Sequence, residues 1–295
     1  IMIDSWVIKR WDLKGIDRSE MENSILNLIF NGLLNEKNAP IPRPDKESME
    51  GKSILIVNGG TSLGNALCSY FWSKGANLCI YSNETHMEKF ENFISSDNKF
   101  QKPIFYTASK HGPITPSIFN EIVNNFGPID IFLQDLGVSD LGVGTKKCDA
   151  DLKIDQNFRS ARDLASVLEK EMIERRSGRI IYLAPWAWYA HRNLLLYETA
   201  KANSIAMTRT LAKKLHTYNI NVNCILPGYI AIWGTSTNEN DEIKKMVSHV
   251  SENRRLGELQ DIVDATNFLV SDSSKYLTGQ ILTVDGGISP DIVML

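Results

Sequence analysis

The chain has 295 residues, 43% of them hydrophobic, and a formal net charge of -3. This length and composition allow one large buried core and favour a single main domain. Lysines and arginines are scattered along the chain, which argues against a nucleic-acid partner, and no apolar run is long enough for a membrane span.

The first 50 residues differ in pattern from the rest of the chain. Ser19-Glu20-Met21-Glu22 matches a capping box, and the apolar residues after it recur at helical spacing as far as Gly32. The stretch Pro40-Ile41-Pro42-Arg43-Pro44 then predicts a stiff, extended linker. We therefore predict a helical extension over residues 1–50, suited to docking or to an oligomer contact, and a main domain over residues 51–295.

From Gly51 onward, short apolar runs alternate with amphipathic helical stretches. The runs are rich in Val, Ile and Leu without polar alternation, which is typical of strands buried on both faces. This alternation predicts right-handed crossovers and a doubly wound parallel sheet, an α/β fold of the Rossmann type. The predicted strands span residues 53–57, 77–81, 104–107, 129–136, 179–184, 221–226 and 280–284.

The cysteines lie far apart and form no CxxC pair. Such spacing is typical of reduced thiols rather than of a disulfide framework or a zinc site, so no metal is expected. We expect buried, apolar roles for Cys68, Cys79, Cys148 and Cys224. A reducing compartment follows: the cytoplasm, or an organelle matrix if a leader has been removed.

A glycine-containing turn follows the first predicted strand and opens the first predicted helix. It runs Asn58-Gly59-Gly60-Thr61-Ser62-Leu63-Gly64. A turn of this kind brings backbone amides and a helix N-terminus toward a bound phosphate. The pattern also fits a strand-to-helix turn that binds no ligand, and the turn alone does not choose between the two interpretations.

Tyr197 and Lys201 lie four residues apart, so on a helix they share one face. An ammonium group beside a phenol makes the phenol a stronger acid, and such a pair can move a proton at a carbonyl group. By itself this spacing is more often an ordinary solvated helix surface. Its weight comes from the motifs that accompany it.

Those motifs are the glycine-containing turn, Pro227-Gly228 after a later strand, and a stretch near the end that runs Tyr276-Leu277-Thr278-Gly279-Gln280-Ile281-Leu282-Thr283-Val284-Asp285-Gly286-Gly287. With the Tyr-Lys pair, they resemble the short-chain dehydrogenase/reductase family, most closely its 3-oxoacyl-ACP reductase branch, over roughly residues 51–287. The resemblance implies a carbonyl reductase that uses NADP(H) on acyl thioesters. It also implies a homo- or hetero-oligomer with another reductase-fold chain, formed through the long helices near residues 151–175 and 197–216.

The coenzyme motif departs from the family pattern at several positions. Asn58 and Ser62 take the first two glycine positions, and only Gly64 is in place. Ser82 stands where NAD-preferring relatives place a carboxylate, and Thr107 replaces an adenine contact. The family's NNAG segment becomes Gln134-Asp135-Leu136-Gly137. The resemblance thus implies that NADP(H) is bound weakly or not at all. The positions that would contact the coenzyme are Asn58, Gly59, Gly60, Ser62, Leu63, Gly64, Ser82, Asn83, Gly137, Tyr197, Lys201, Pro227 and Gly228.

The catalytic set is incomplete as well. By resemblance, Tyr197 is the general acid, Lys201 lowers its pKa, and Asn157 holds a water that is chained to the lysine. Ala184 stands where the family has a serine that donates a hydrogen bond to the substrate oxygen. Loss of one such donor lowers the rate by about 10²–10³.

Three functions stay open at this stage. The first is an active NADP(H)-dependent reductase of 3-oxoacyl thioesters, and the second is a reductase-fold subunit with little or no activity inside an assembly. The third is a nucleotide sensor without turnover. The departures in the coenzyme turn, together with Ala184, favour the second.

Overall fold

The structure is a computed structural model that describes residues 48–82, 100–108, 114–137, 147–184, 194–230 and 252–287; side chains of residues 147–154 and 194–198 are not described. The predicted N-terminal helix and the proline-rich linker therefore lie outside the described residues. Among the helices of the described segments, none combines the length and apolar character that a membrane crossing requires.

Seven parallel strands form one sheet in the order β3-β2-β1-β4-β5-β6-β7. Their bounds are β1 Ser53–Val57, β2 Asn77–Ser82, β3 Ile104–Thr107, β4 Ile131–Asp135, β5 Gly178–Leu183, β6 Ile220–Pro227 and β7 Ile281–Val284. The strand order reverses between β1 and β4, which confirms the predicted doubly wound parallel fold. Ligands of such sheets bind in the crevice beyond the carboxyl ends of the strands at this reversal.

Five α-helices connect the strands within the described segments. They are α1 Ser62–Ser73, α2 Pro116–Phe126, α3 Lys147–Arg175, α4 Leu194–Leu215 and α5 Leu259–Val270. A separate apolar cluster covers each face of the sheet, with α2, α3 and α4 on one face and α1 and α5 on the other. Alternate residues of β1 divide between the clusters, with Leu55 and Val57 in the first and Ile54 and Ile56 in the second. This two-sided burial explains why the strands lack polar residues at every second position.

The predicted fourth strand is longer than the observed one. Sequence pattern extends it from residue 129 to residue 136, whereas β4 spans Ile131–Asp135. Ile129 is buried, but its amide donates to Oε1 of Glu171 on α3 at 3.3 Å rather than to a neighbouring strand. Burial alone therefore does not distinguish a strand residue from the connection that precedes it.

An ionic cluster joins the amino ends of β1 and β4 to the last turn of α3. The Arg175 guanidinium contacts Oδ1 of Asp130 at 3.0 Å and Oε1 of Glu171 at 2.8 Å, and it donates to the carbonyl of Ile129. The other oxygen of Asp130 accepts the Ser53 amide at 3.0 Å. One arginine thus fixes the ends of two adjacent strands.

We expect Arg175→Met to lower the free energy of unfolding by about 1–3 kcal/mol, because it leaves half-buried carboxylates without their cation. Arg162→Met is the matched control on the same helix, since the Arg162 side chain is 74% exposed and pairs with its chain neighbour Asp163. The control is expected to change stability by less than about 0.5 kcal/mol. Urea unfolding measures both, and equal effects would contradict the structural role of the cluster.

Candidate active site at the carboxyl edge

The turn after β1 keeps a glycine-like shape although its first glycine position holds Asn58. Asn58 adopts a φ of 63°, a left-handed conformation that asparagine tolerates better than most residues. A Cβ on Gly59 would lie 2.5 Å from Cγ2 of Ile80, and a Cβ on Gly64 would lie 2.4 Å from the Asn58 carbonyl oxygen. The retained glycines therefore allow the turn to pack on β2 and α1 to pack on the turn.

Backbone amides of this turn donate to partners within the chain. The Gly59 amide donates to the Tyr81 carbonyl at 3.2 Å, and the Gly60 amide donates to the Ser82 hydroxyl at 2.8 Å. Ser82 is buried, and its hydroxyl oxygen accepts this hydrogen bond from the turn. Ser82 thus has a structural partner at the position where a ribose contact was predicted.

Thr61 caps α1 and joins it to the end of β4. Its hydroxyl oxygen accepts from the Gly64 amide at 2.9 Å, and the hydroxyl donates to Oδ2 of Asp135 at 2.9 Å. Oδ1 of Asp135 accepts from the Gly137 amide at 2.8 Å, and the residue is only 3% exposed. A buried acidic side chain therefore lies beside the helix N-terminus that would meet a coenzyme phosphate.

Asn58 and Asn157 join three elements at the same edge. The Asn58 side-chain amide donates to the Asp135 carbonyl at 2.7 Å and to Oδ1 of Asn157 at 3.2 Å. The Asn157 amide in turn donates to the carbonyls of Gly137 at 3.0 Å and Leu136 at 3.4 Å. These contacts connect the β1 turn, the end of β4 and the middle of α3.

The main-chain carbonyl of Asn157 is engaged as well. The Ser160 hydroxyl donates to it at 2.9 Å, and Nε2 of the fully buried Gln134 donates to the Ser160 oxygen at 3.1 Å. Within an α-helix this carbonyl also accepts the amide of Ala161, four residues on. The resemblance implies that Asn157 holds a water, but its side-chain oxygen and its main-chain oxygen each already have a protein donor.

The Tyr-Lys pair falls on α4, which follows the carboxyl end of β5. Tyr197 lies near the start of the helix, and its side chain is outside the described set, while Lys201 is half-buried one turn later. Ala184 follows β5 directly, with its amide bound to the Ile225 carbonyl at 2.9 Å and its methyl group in the apolar cluster under α3 and α4. It offers no side-chain donor.

The remaining predicted coenzyme contacts are of two kinds: some have positions that the structure describes, and one lies outside the described residues. Pro227 ends β6, and a Cβ on Gly228 would lie 2.5 Å from Cα of Asp285, so Gly228 is required for the approach of the chain after β7. Leu63 is buried and Ser62 is half-exposed in the first turn of α1. Asn83 lies outside the described residues.

Three of the cysteines are described, and all are buried. Burial raises the pKa of the Cys79 and Cys224 thiols to about 12 and raises the pKa of Cys68 further. These thiols stay protonated at neutral pH, as expected of apolar packing residues.

Sequence reasoning missed the contacts between these positions. The sequence places Thr61 in the glycine-containing turn and Asp135 in the altered segment 134–137, but it does not identify them as hydrogen-bond partners, and it does not single out Ser160. One signal was available for Thr61, since a threonine before an apolar helical run is typical of an N-cap.

The chain matches the family model described as enoyl-(acyl carrier protein) reductase over residues 58–289. An uncharacterized oxidoreductase of Escherichia coli is 29% identical over 245 residues, which cover 81% of this chain and 93% of the relative. A 3-oxoacyl-[acyl-carrier-protein] reductase of Thermotoga maritima is 26% identical over 246 residues, which cover 81% of this chain and 98% of the relative.

Solved structures share the fold. Levodione reductase has a TM-score of 0.67 at 22% identity, covering 82% of this chain and 99% of its own. A gluconate 5-dehydrogenase from Beutenbergia cavernae, described as putative, NAD(P)-dependent and holding NADP, has a TM-score of 0.67 at 20% identity. The match covers 82% of this chain and 98% of that structure.

We expect Ser160→Ala to lower the free energy of unfolding by about 1–3 kcal/mol, because it leaves the buried Gln134 amide without its acceptor. Ser166→Ala is the matched control, since Ser166 is exposed on the same helix and its hydroxyl likewise donates to the carbonyl three residues earlier, at 3.0 Å. The control is expected to stay within about 0.5 kcal/mol. Equal losses in chemical denaturation would rule out a special role for the Gln134–Ser160–Asn157 contacts.

Proposed function

The chain belongs to the short-chain dehydrogenase/reductase family, and we propose that it is a reductase-fold subunit with little or no catalytic activity of its own. The observation that carries the proposal is the carboxyl edge of the sheet, where Ala184 offers no side-chain donor and where Asn58, Ser82 and Asn157 are hydrogen-bonded to other residues of the chain. The seven-stranded sheet of the fold is nevertheless present. The chain would thus keep the architecture of the family but little or none of its catalytic activity.

The substrate side lacks a hydrogen-bond donor. Ala184 follows β5 directly and has a buried methyl group in the position assigned to the family's serine. A carbonyl oxygen at this site would receive a proton from Tyr197 but no second hydrogen bond from residue 184. An electrostatic contribution worth about 10²–10³ in rate is thereby removed.

The coenzyme side fits a dinucleotide poorly. The carboxylate of Asp135 is buried behind the N-terminus of α1, and the side chains of Asn58 and Thr61 are bound to residues across the crevice. We propose that NADP(H), if bound, binds weakly. NADPH is expected to bind better than NADH, because Ser82 supplies no carboxylate for the ribose hydroxyls.

The alternative function is an active NADP(H)-dependent carbonyl reductase of 3-oxoacyl thioesters. Curated relatives named 3-oxoacyl-[acyl-carrier-protein] reductases, at 26–28% identity, favour it. In that case another group must replace the hydrogen bond that Ala184 cannot make.

We predict very low or no turnover of acetoacetyl thioester with NADPH by the unmodified chain. Ala184→Ser, alone and combined with Ser62→Gly, is expected to raise turnover by up to about 10²–10³, because it restores the missing donor. Ala212→Ser is the control, since it adds a hydroxyl to a buried alanine of the same apolar cluster. Turnover by the unmodified chain at the rate of an ordinary reductase would refute the proposal.

We further propose that the chain forms a homo- or hetero-oligomer with another reductase-fold chain. In relatives the helices that correspond to α3 and α4 pack against a partner, and here they are 29 and 22 residues long. Exposed residues of α4 include Ala202 and Ala206, one turn apart, whose small side chains permit close approach of another helix.

Light scattering is expected to give at least the mass of a dimer at micromolar concentration. Ala206→Glu is expected to shift the mass toward the monomer, because it places a charge on the exposed face of α4. Asn124→Glu, at an exposed position of α2, is the control and should leave the mass unchanged. A monodisperse monomer of the unmodified chain would contradict this assembly.

A further inference from the structure

Two side chains from the β1 turn cross the crevice where the strand order reverses. Asn58 follows β1, Asp135 ends β4, and these strands are neighbours in the sheet although β2 and β3 lie between them in the chain. A dinucleotide in a doubly wound fold binds beyond the carboxyl ends of such a pair. Here the same place is spanned by bonds from Asn58 and from Thr61.

The Asn58 bridge uses the full donor capacity of its side chain. A carboxamide has two N–H donors, and the two acceptors are the Asp135 carbonyl at 2.7 Å and Oδ1 of Asn157 at 3.2 Å. Asn58 has a left-handed backbone, and its side chain bonds to β4 and α3 across the crevice. Glycine, the family residue, would keep this backbone conformation but could not form the bridge.

We propose that Asn58 is an internal lock that holds the crevice closed against a dinucleotide. Coenzyme entry must break the bonds from Asn58 to β4 and α3, so the free energy of the bridge is subtracted from the free energy of binding. The inference builds on the proposed weak coenzyme binding, but it does not depend on whether the chain catalyses a reaction.

The competing explanation is that Asn58 serves only as a residue that tolerates a left-handed turn. Asn219 provides the comparison, because it has a φ of 60° and lies at the opposite edge of the sheet, just before β6. Its amide donates to the Arg176 carbonyl at 3.3 Å on the protein surface. Asn219→Gly therefore makes the same chemical change in the same backbone conformation without touching the crevice.

The experiment measures NADPH binding by fluorescence titration and unfolding by urea for the full chain, Asn58→Gly and Asn219→Gly. Asn58→Gly is expected to raise the unfolding equilibrium constant by roughly five- to thirtyfold, since two hydrogen bonds are lost while backbone strain is relieved. It is expected to tighten NADPH binding by about tenfold or more. Asn219→Gly is expected to change NADPH binding by less than about twofold.

The opposite directions of the two effects distinguish a lock from a purely structural residue, whose loss would weaken both folding and binding. If Asn58→Gly binds NADPH no better than the unmodified chain, including the case in which neither binds, the lock is refuted. An equal gain in NADPH affinity in Asn219→Gly would refute the lock as well, because the gain would then not depend on the contacts of Asn58 in the crevice.

Asn157→Ala tests the hydrogen bond from Asn58 to α3. It replaces Asn58→Gly as the test if that variant folds poorly. It removes the Oδ1 acceptor, so it is expected to tighten NADPH binding by roughly three- to tenfold. In the Asn157→Ala background, Asn58→Gly should gain less than it does in the unmodified chain, and a fully additive gain would overturn coupling through Asn157. Ordinary turnover by the unmodified chain would refute the proposed function, whereas the lock is judged by the binding ratios alone.

Discussion

The carboxyl edge of this protein depends on one buried carboxylate. Asp135 is almost completely removed from water, and a buried polar side chain is tolerated only if it is hydrogen-bonded. The Thr61 hydroxyl and the Gly137 amide supply those donors. The start of α1, the chain after β4 and the path between them are all fixed by this requirement.

Asn157, for which the family resemblance implies a water-holding role, is hydrogen-bonded to other residues of the chain. Its side chain and its main-chain carbonyl bind Asn58 and Ser160, residues from the β1 turn and from the next turn of α3. Its side chain connects α3 to the turn after β1 and to the chain after β4. Sequence identity at a catalytic position is therefore weaker support for activity than the availability of its atoms.

The fold could be predicted in detail because its determinants are local. Runs such as Ser53–Val57 and the helical spacing of the apolar residues after it reveal burial within a few residues, and the order of the βα units fixes the sheet. The contacts of the site could not be predicted, because they join residues that are far apart in the chain. The Asn58 side-chain amide donates to Asp135 and to Asn157, which lie 77 and 99 positions after it. Residue types identified the departures at Asn58 and Ala184, but only three-dimensional contacts reveal that Asn58 and Asp135 meet.

The ionic cluster around Arg175 has a consequence for the opposite edge of the same strands. Because Asp130 holds the Ser53 amide at the amino ends, β1 and β4 are pinned in register at a point remote from the crevice. The backbone ladder between the two strands also continues to Val57 and Gln134 at their carboxyl ends, so the crevice side chains are not what holds these strands together. Loss of the crevice contacts would therefore leave the register of β1 and β4 unchanged, which makes this edge open to redesign on a preserved scaffold.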